Sequence, residues 1–364
     1  MLKKSMVVSF MISMLLIMSC SDDPTSSDPV TAYRMVERNN YEYEPATSTW
    51  IPSSEWNLDY DVYGRIELDY GIDFYDGDQY QDSISYDNTS TVLPKEFISY
   101  DDGKEMVMNS RSVYTYENGK AKEVLQYFYF GGVVVASQKT VVTYENNLLT
   151  SVIRYDDNDG IWEMTWEKTW TYTSGLLTEY TNFYTDGYGN KSTYTYSNGV
   201  LSEIIEYDWN VVGWELYDKS VYTYEDGKLK EVMDYDYYNS DWNIGDKTIY
   251  LYTNGYLSSE TTSSWNDYEQ VWKDRWKTGF EYDENWNIIA YVSYNWDEVT
   301  SEIVPSFKSE FIYEKAHGNY RDIMKVKYPE FFYTGLMIYS FDTLPSKAIE
   351  NDRWLFKFLK RKDK

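Results

Sequence analysis

KSVYTYEDGKLKEVMDY, Lys219 to Tyr235, decides the architecture. Strand-forming Tyr, Thr and Val alternate with polar residues on both sides of Asp226-Gly227. That dipeptide tolerates positive φ at both central positions of a type I′ turn, whose twist suits a two-residue hairpin. A fixed turn fixes register. Regular alternation then sets Tyr224 opposite Leu229, Tyr222 opposite Glu231 and Val221 opposite Val232. One face carries Tyr222, Tyr224, Leu229, Met233 and Tyr235; the other carries Lys219, Val221, Thr223, Val232 and Asp234. Lys219 is expected opposite Asp234, and Lys191 opposite Glu206 in a neighbouring copy.

The unit recurs. Aligned on the tyrosine before the turn, six copies read YENGKA (Tyr116), YENNLL (Tyr144), YTSGLL (Tyr172), YSNGVL (Tyr196), YEDGKL (Tyr224) and YTNGYL (Tyr252). Their spacings are 28, 28, 24, 28 and 28 residues. Looser copies lie at Tyr60, Tyr86, Tyr282, Tyr313 and Tyr339. A fixed period over most of a chain is the signature of a repeat array. Two strands per period leave about eleven residues each, or about 35 Å of strand. The fold expected is all-β: an antiparallel meander of about twenty strands, curled or coiled because an open sheet of that size cannot stay flat. Tight turns mark one edge. Longer loops, such as DDNDGIW (156–162), TDGYGN (185–190), YNSDWN (238–243) and WNDYEQVW (265–272), mark the other.

The composition agrees. Forty-one Tyr and 14 Trp in 364 residues exclude disorder, which is poor in aromatics. The 33 basic against 60 acidic residues give a net charge of −27, which excludes nucleic acid as a partner.

The N-terminus differs from the rest. Lys3 and Lys4 precede an apolar run from Met6 to Met18, too short for a comfortable membrane span and suited to a signal peptide. Leu16-Ile17-Met18-Ser19-Cys20 resembles a bacterial lipoprotein signal, which implies cleavage before Cys20 and lipid attachment there. Cys20 is the only cysteine, so no intrachain disulfide forms. The following Ser21-Asp22-Asp23 is similar to the acidic export tag of Bacteroidetes surface lipoproteins, and implies an outer-membrane, lipid-anchored, cell-surface protein. The expected organisation is a signal peptide over 1–19, a flexible acidic tether over 20–40, the repeat domain over 41–347 and a basic segment over 348–364.

YDVYGRIEL at Tyr60 and YDENWNI at Tyr282 resemble the Tyr-Asp repeats of RHS-type proteins. The Tyr-x-Asn-Gly-x-Leu-x-Glu copies are similar to repeat-bearing Bacteroidetes lipoproteins without an assigned activity. Both resemblances speak to architecture more than to function.

Catalytic chemistry is hard to find. One histidine, His317, rules out an intrachain zinc-protease motif. No phosphate-cradling glycine loop is present. Glu123, Glu179, Glu203 and Glu231 recur at one repeat position, as scaffold residues do and an active site does not. Asp73, Asp76 and Asp78 form an acidic turn without an EF-hand pattern. The expectation is therefore no enzyme, no metal and no cofactor. Trp162, Trp209, Trp214, Trp242, Trp265 and Trp272 lie in or beside the longer loops, where indole faces bordered by carboxylates suit sugars. The function expected is a surface binding or structural module, its partner a glycan or another surface protein. The alternatives are a glycan-binding accessory of polysaccharide uptake and a glycoside hydrolase. A transmembrane barrel is disfavoured by Lys and Glu on both strand faces.

Overall fold

The computed structural model describes residues 32–316 except 62–65, 76, 87–93, 103–105, 119, 285–286, 298–299 and 301. The signal peptide, Cys20, His317 and the basic segment 348–364 lie outside the described residues. Twenty antiparallel strands follow one another. They are β1 (Ala32–Glu44), β2 (Thr49–Tyr60), β3 (Ile66–Asp73), β4 (Gln79–Tyr86), β5 (Pro94–Asp102), β6 (Met106–Glu117) and β7 (Lys120–Phe130). Next come β8 (Val133–Glu145), β9 (Leu148–Asn158), β10 (Ile161–Thr173), β11 (Leu176–Tyr184), β12 (Gly189–Ser197), β13 (Val200–Trp209) and β14 (Trp214–Glu225). The last are β15 (Lys228–Tyr238), β16 (Asp241–Thr253), β17 (Tyr256–Asn266), β18 (Val271–Tyr282), β19 (Ile288–Asp297) and β20 (Glu302–Ala316).

Each strand pairs with the next, and β1 also pairs with β20, from Ala32↔Ala316 to Glu42↔Phe307. The sheet is therefore a closed barrel, not the curled or coiled open sheet expected from the repeat. Closure removes both edges, which an open array would leave as unpaired N–H and C=O groups. It also corrects a boundary. β1 starts at Ala32, inside the stretch expected as tether, and this early segment supplies the closing strand. The seam is pinned by Asn40, which accepts from Ser309 at 2.6 Å and donates to Ser54 at 2.8 Å. Arg38 reaches from the same strand to Tyr291 and Ser309, each at 3.2 Å.

The turns form as their sequence dictates. Both central residues take positive φ at Asn146-Asn147, Ser174-Gly175, Asn198-Gly199, Asp226-Gly227 and Asn254-Gly255. These even-to-odd connections make the lower rim, where β1 begins and β20 ends. The odd-to-even connections make the upper rim.

Register departs from simple alternation one step past each turn. Tyr224 faces Leu229 as expected, but a bulge follows, so Tyr222 faces Val232 and Lys219 faces Tyr235. Lys191 likewise faces Tyr207, not Glu206. The same shift precedes Tyr116, Tyr144, Tyr172, Tyr196, Tyr252 and Tyr282. The bulge has a packing cause. Leu229 and Val232 are three apart, so regular alternation would part them. One extra residue turns both to the same face and sends Lys230 and Glu231 to the other.

That face, with Tyr222, Tyr224, Leu229, Val232 and Asp234, is the inner wall. Side chains converge on the concave side of a ring, and there Leu149, Leu229, Leu257 and Ile288 are buried. Leu149, Leu257 and Ile288 join Tyr114, Trp170, Phe280 and Phe311 in one aromatic and aliphatic collar. Above the collar the inner wall is polar. The outer wall carries Lys139, Lys191, Lys219 and Lys247 at mid-height, with Glu123, Glu203 and Glu231 beside them. A lysine facing lipid at the bilayer midplane costs about 2–4 kcal/mol. Twenty strands place the ring between the 16–18-stranded barrels that enclose a channel and the 22-stranded ones that enclose a plug.

Candidate functional sites at the upper rim and inner wall

The six candidate tryptophans lie on strands below the upper rim, and not in free loops. DDNDGIW and YNSDWN close as two-residue turns at Asp159-Gly160 and Asn239-Ser240, with positive φ at all four residues. The indoles pair across strands on the outer wall. Trp209 meets Trp214 edge-on at 5.2 Å between ring centroids, and Trp265 meets Trp272 at 5.2 Å. Tyr237 meets Trp242 at 5.0 Å, and Phe183 meets Trp209 at 5.8 Å.

The periodic lysines complete this belt. Lys219 lies 4.5 Å from the Tyr235 ring and 4.7 Å from Trp242. Lys139 lies 4.9 Å from both Tyr155 and Trp162. Lys191 sits over Tyr207 and Trp214, and Lys247 over Trp272 at 4.3 Å. Lys139, Lys191 and Lys219 thus each bridge rings on the next two strands, where a salt bridge to the facing acid was expected for Lys191 and Lys219. Each such contact is worth about 0.5–1 kcal/mol at an exposed site. Trp162, Trp209, Trp214, Trp242 and Trp272 are explained by this ladder.

Trp265 does more. It lines a cleft of about 320 Å³ with Trp296, Asp274, Arg275, Lys273 and Asn266. Ser263 donates to Asp274 at 2.6 Å, and Arg275 donates to Ser264 at 3.2 Å, which hold the polar wall in place. A second cleft of about 520 Å³ opens between β2, β3 and β4. Its rings are Trp56 and Tyr80, edge-on at 5.0 Å, and its polar groups are Ser54, Asp73, Asp78 and Gln79. Gly71 makes this cleft possible. A Cβ there would stand 2.5 Å from the Tyr80 hydroxyl oxygen and 2.4 Å from the Glu55 carbonyl. Sequence reading missed Trp56 and Tyr80. The signal was a glycine inside a strand pattern, which marks close approach by another group.

The upper rim also exposes apolar tips: Phe130 at 80%, Val211 at 82%, Val212 at 90% and Tyr268 at 96% exposure. The acidic turn after β3 is ordered by its own backbone. Asp73 accepts from Tyr75 N–H at 2.8 Å, and Tyr75 donates to Glu42 at 2.7 Å. Among the described residues no group of three His, Cys, Asp or Glu is placed to hold a metal ion.

The inner wall is divided by charge. Lys168 and Arg154 stand on β10 and β9, and burial lowers the proton affinity of both, Lys168 to a pKa of about 8 with the Arg154 charge adding to the shift. Acids occupy β13 to β17. Burial raises Asp234 to about 6, with Asp246, Glu206 and Asp236 reinforcing it and a 2.6 Å hydrogen bond from Ser220 opposing it. Burial raises Glu260 to about 7 against a hydrogen bond from Thr278. Burial likewise pushes Tyr250 well above its ordinary value, with Glu260 the largest charge acting on it.

No family model matches the chain, and no curated protein does. Solved structures similar to it include a protein of unknown function from Bacteroides fragilis, at 17% identity and a TM-score of 0.30, covering 36% of this chain and 94% of that one. A porin-like protein from Bacteroides uniformis aligns at 10% identity and a TM-score of 0.35, covering 77% and 98%. The Photorhabdus luminescens Tc holotoxin pore aligns at 11% identity and a TM-score of 0.22, covering 66% and 15%. With scores below 0.5, none of them bears on what this chain does.

Proposed function

We propose that the chain is a lipid-anchored, cell-surface binding module that takes glycan at its upper rim and catalyses nothing. One observation carries the reading. The chain enters and leaves the barrel at the lower rim, whereas both aromatic clefts lie towards the upper one. A lipid on Cys20 would sit twelve residues before the first strand (32 − 20), on a Ser, Asp and Pro tether, and would hold the clefts away from the membrane. Each cleft combines indole with carboxylate and amide, the groups that take the C–H faces and hydroxyls of a sugar.

Titrating the protein with a panel of neutral and acidic polysaccharides, followed by tryptophan fluorescence, tests this. Saturable quenching that weakens at least tenfold in Trp56→Ala or Trp265→Ala is the expected result. No response across the panel overturns the glycan reading. Release of reducing ends during the titration overturns the absence of catalysis and favours a glycoside hydrolase. The exposed Val211 and Val212 favour a second reading, a surface-protein partner. In that case cross-linking in cells captures one partner, and Val212→Ser abolishes the capture.

A further inference from the structure

Arg275 breaks the repeat in the wall of the Trp265 cleft. Five strand pairs skip one residue in their register seven places before the anchoring tyrosine: Asn109, Thr165, Tyr217, Arg275 and Ser306. Of these five only Arg275 is charged. A bulge re-aims the side chain of its extra residue, so the backbone places this charge in the cleft that Arg275 lines.

The charge is also held there. Arg275 Nε donates to Ser264 Oγ at 3.2 Å, and the same hydroxyl donates to Asp246 at 2.5 Å. The two terminal nitrogens make no hydrogen bond or ion pair among the described residues. A chain with 60 acidic against 33 basic residues could readily supply a carboxylate partner. The nearby ones are engaged elsewhere: Asp274 accepts from Ser263 at 2.6 Å, and Glu269 pairs with Lys273 at 2.7 Å.

The two aromatic clefts therefore differ in charge. The Trp56 cleft carries Asp73 and Asp78 and no base, a sum of −2. The Trp265 cleft carries Lys273, Arg275 and Asp274, a sum of +1 (2 − 1), with Lys273 already paired. What it offers a ligand is a guanidinium fork beside two indoles, Trp265 and Trp296. The planar fork matches the two oxygens of a carboxylate. An indole face takes the C–H face of a sugar ring.

We infer that the Trp265 cleft selects acidic sugars of the uronic-acid class, with Arg275 holding the carboxylate and the indoles holding the ring. The inference rests on the glycan reading and narrows it for one of the two clefts. A sulfate ester carries oxygens of the same charge, so the test separates the two anions.

The full-length protein is titrated at one ionic strength with trigalacturonate, with its fully methyl-esterified form and with dextran sulfate, followed by tryptophan fluorescence and calorimetry. Wild type should bind trigalacturonate about tenfold or more tightly than the ester, which keeps the sugar and removes the charge. Arg275→Thr installs the residue found at Thr165 in another copy. It should erase that difference and leave the affinity for the ester as it was, and Arg275→Gln should behave alike. Lys230 pairs with Glu225 beside the Asp226-Gly227 turn, and Lys230→Gln removes one positive charge there. That variant should leave the difference intact. Equal affinities for acid and ester in wild type, or a difference that survives both Arg275 variants, overturn the inference while the glycan reading stands. Dextran sulfate bound as tightly as trigalacturonate, and lost equally in Arg275→Thr, overturns the uronic-acid assignment in favour of a general anion site. Silence towards all three ligands overturns the glycan reading and this inference with it.

Discussion

The Tyr282 hydroxyl donates to the Leu257 carbonyl at 2.8 Å, 25 residues back along the chain. Tyr313 does the same to Ile288 at 2.9 Å, and Tyr116 to Pro94 at 2.7 Å. Each acceptor sits just before the bulged residue of the preceding hairpin. A bulge leaves one residue unpaired in the ladder, and the next copy's anchoring tyrosine serves the carbonyl beside it. The tyrosine is thus a staple between copies and not a binding residue. Tyr282→Phe should cost about 1–2 kcal/mol by leaving a buried acceptor unmet. Urea unfolding monitored by circular dichroism would show it, and an unchanged midpoint would refute the staple.

Stability should fall as pH rises. Glu260 and Asp234 have folded-state pKa values raised to about 7 and about 6, so the fold favours their protonated forms. The stabilisation is fully present below their unfolded values near 4, is lost as pH climbs through 6 and 7, and levels off above that. The change should be on the order of 1–3 kcal/mol between pH 5 and pH 8. Thermal melts across that range check it. In Glu260→Val the slope should flatten, and a protein more stable at pH 8 than at pH 5 would contradict the assignment.

The Trp56–Tyr80 cleft depends on a missing methyl group. Gly71→Ala puts a Cβ within 2.7 Å of the Tyr80 ring, so the ring must move or the strands part. The expected cost is about 1–3 kcal/mol, as for overpacking, together with loss of any ligand response at Trp56. Gly227→Ala is the contrasting case. Its φ is +73° with nothing within 4 Å, so it should lose about 1 kcal/mol from turn strain alone and leave the cleft intact.

The lysine ladder makes an optical prediction. Lys219→Met removes the ammonium between Tyr235 and Trp242 while keeping the side-chain length. Tryptophan emission should change, and stability should drop by about 0.5–1 kcal/mol. Equal effects at 0.05 and 1 M salt would point to loss of packing instead.

Much of this was legible from the stretch around Asp226-Gly227. Two-residue turns with positive φ at both positions, strands of the expected length and a meander of twenty strands all follow from residue chemistry. Closure was not legible, because β1 and β20 are paired by residues 269 apart, such as Asn40 and Ser309, with no local signature. The bulge was missed because alternation was carried straight through Leu229-Lys230-Glu231-Val232. Two apolar residues three apart, flanking two polar residues, recur as Leu201–Ile204 and Ala121–Val124 and were the clue. The tryptophans, expected in or beside the longer loops, stand on the strands next to the upper-rim turns, because Asp159-Gly160 and Asn239-Ser240 are tight turns that leave little loop. Trp56 and Tyr80 carried no periodic signal.

The seam at Asn40 and Ser309 has a consequence for how the molecule is made. Among the described strands, β1 is the first to emerge during synthesis and its partner β20 is the last. Until then both ends of a growing nineteen-strand ribbon offer unsatisfied backbone to any neighbour. Adjacent hairpins can zip quickly because their contacts are local, but the final join waits for the whole chain. Folding of this chain is a race between completing the circle and joining the wrong circle. Holdases that shield open strands should therefore govern its yield more than any catalyst of turn formation.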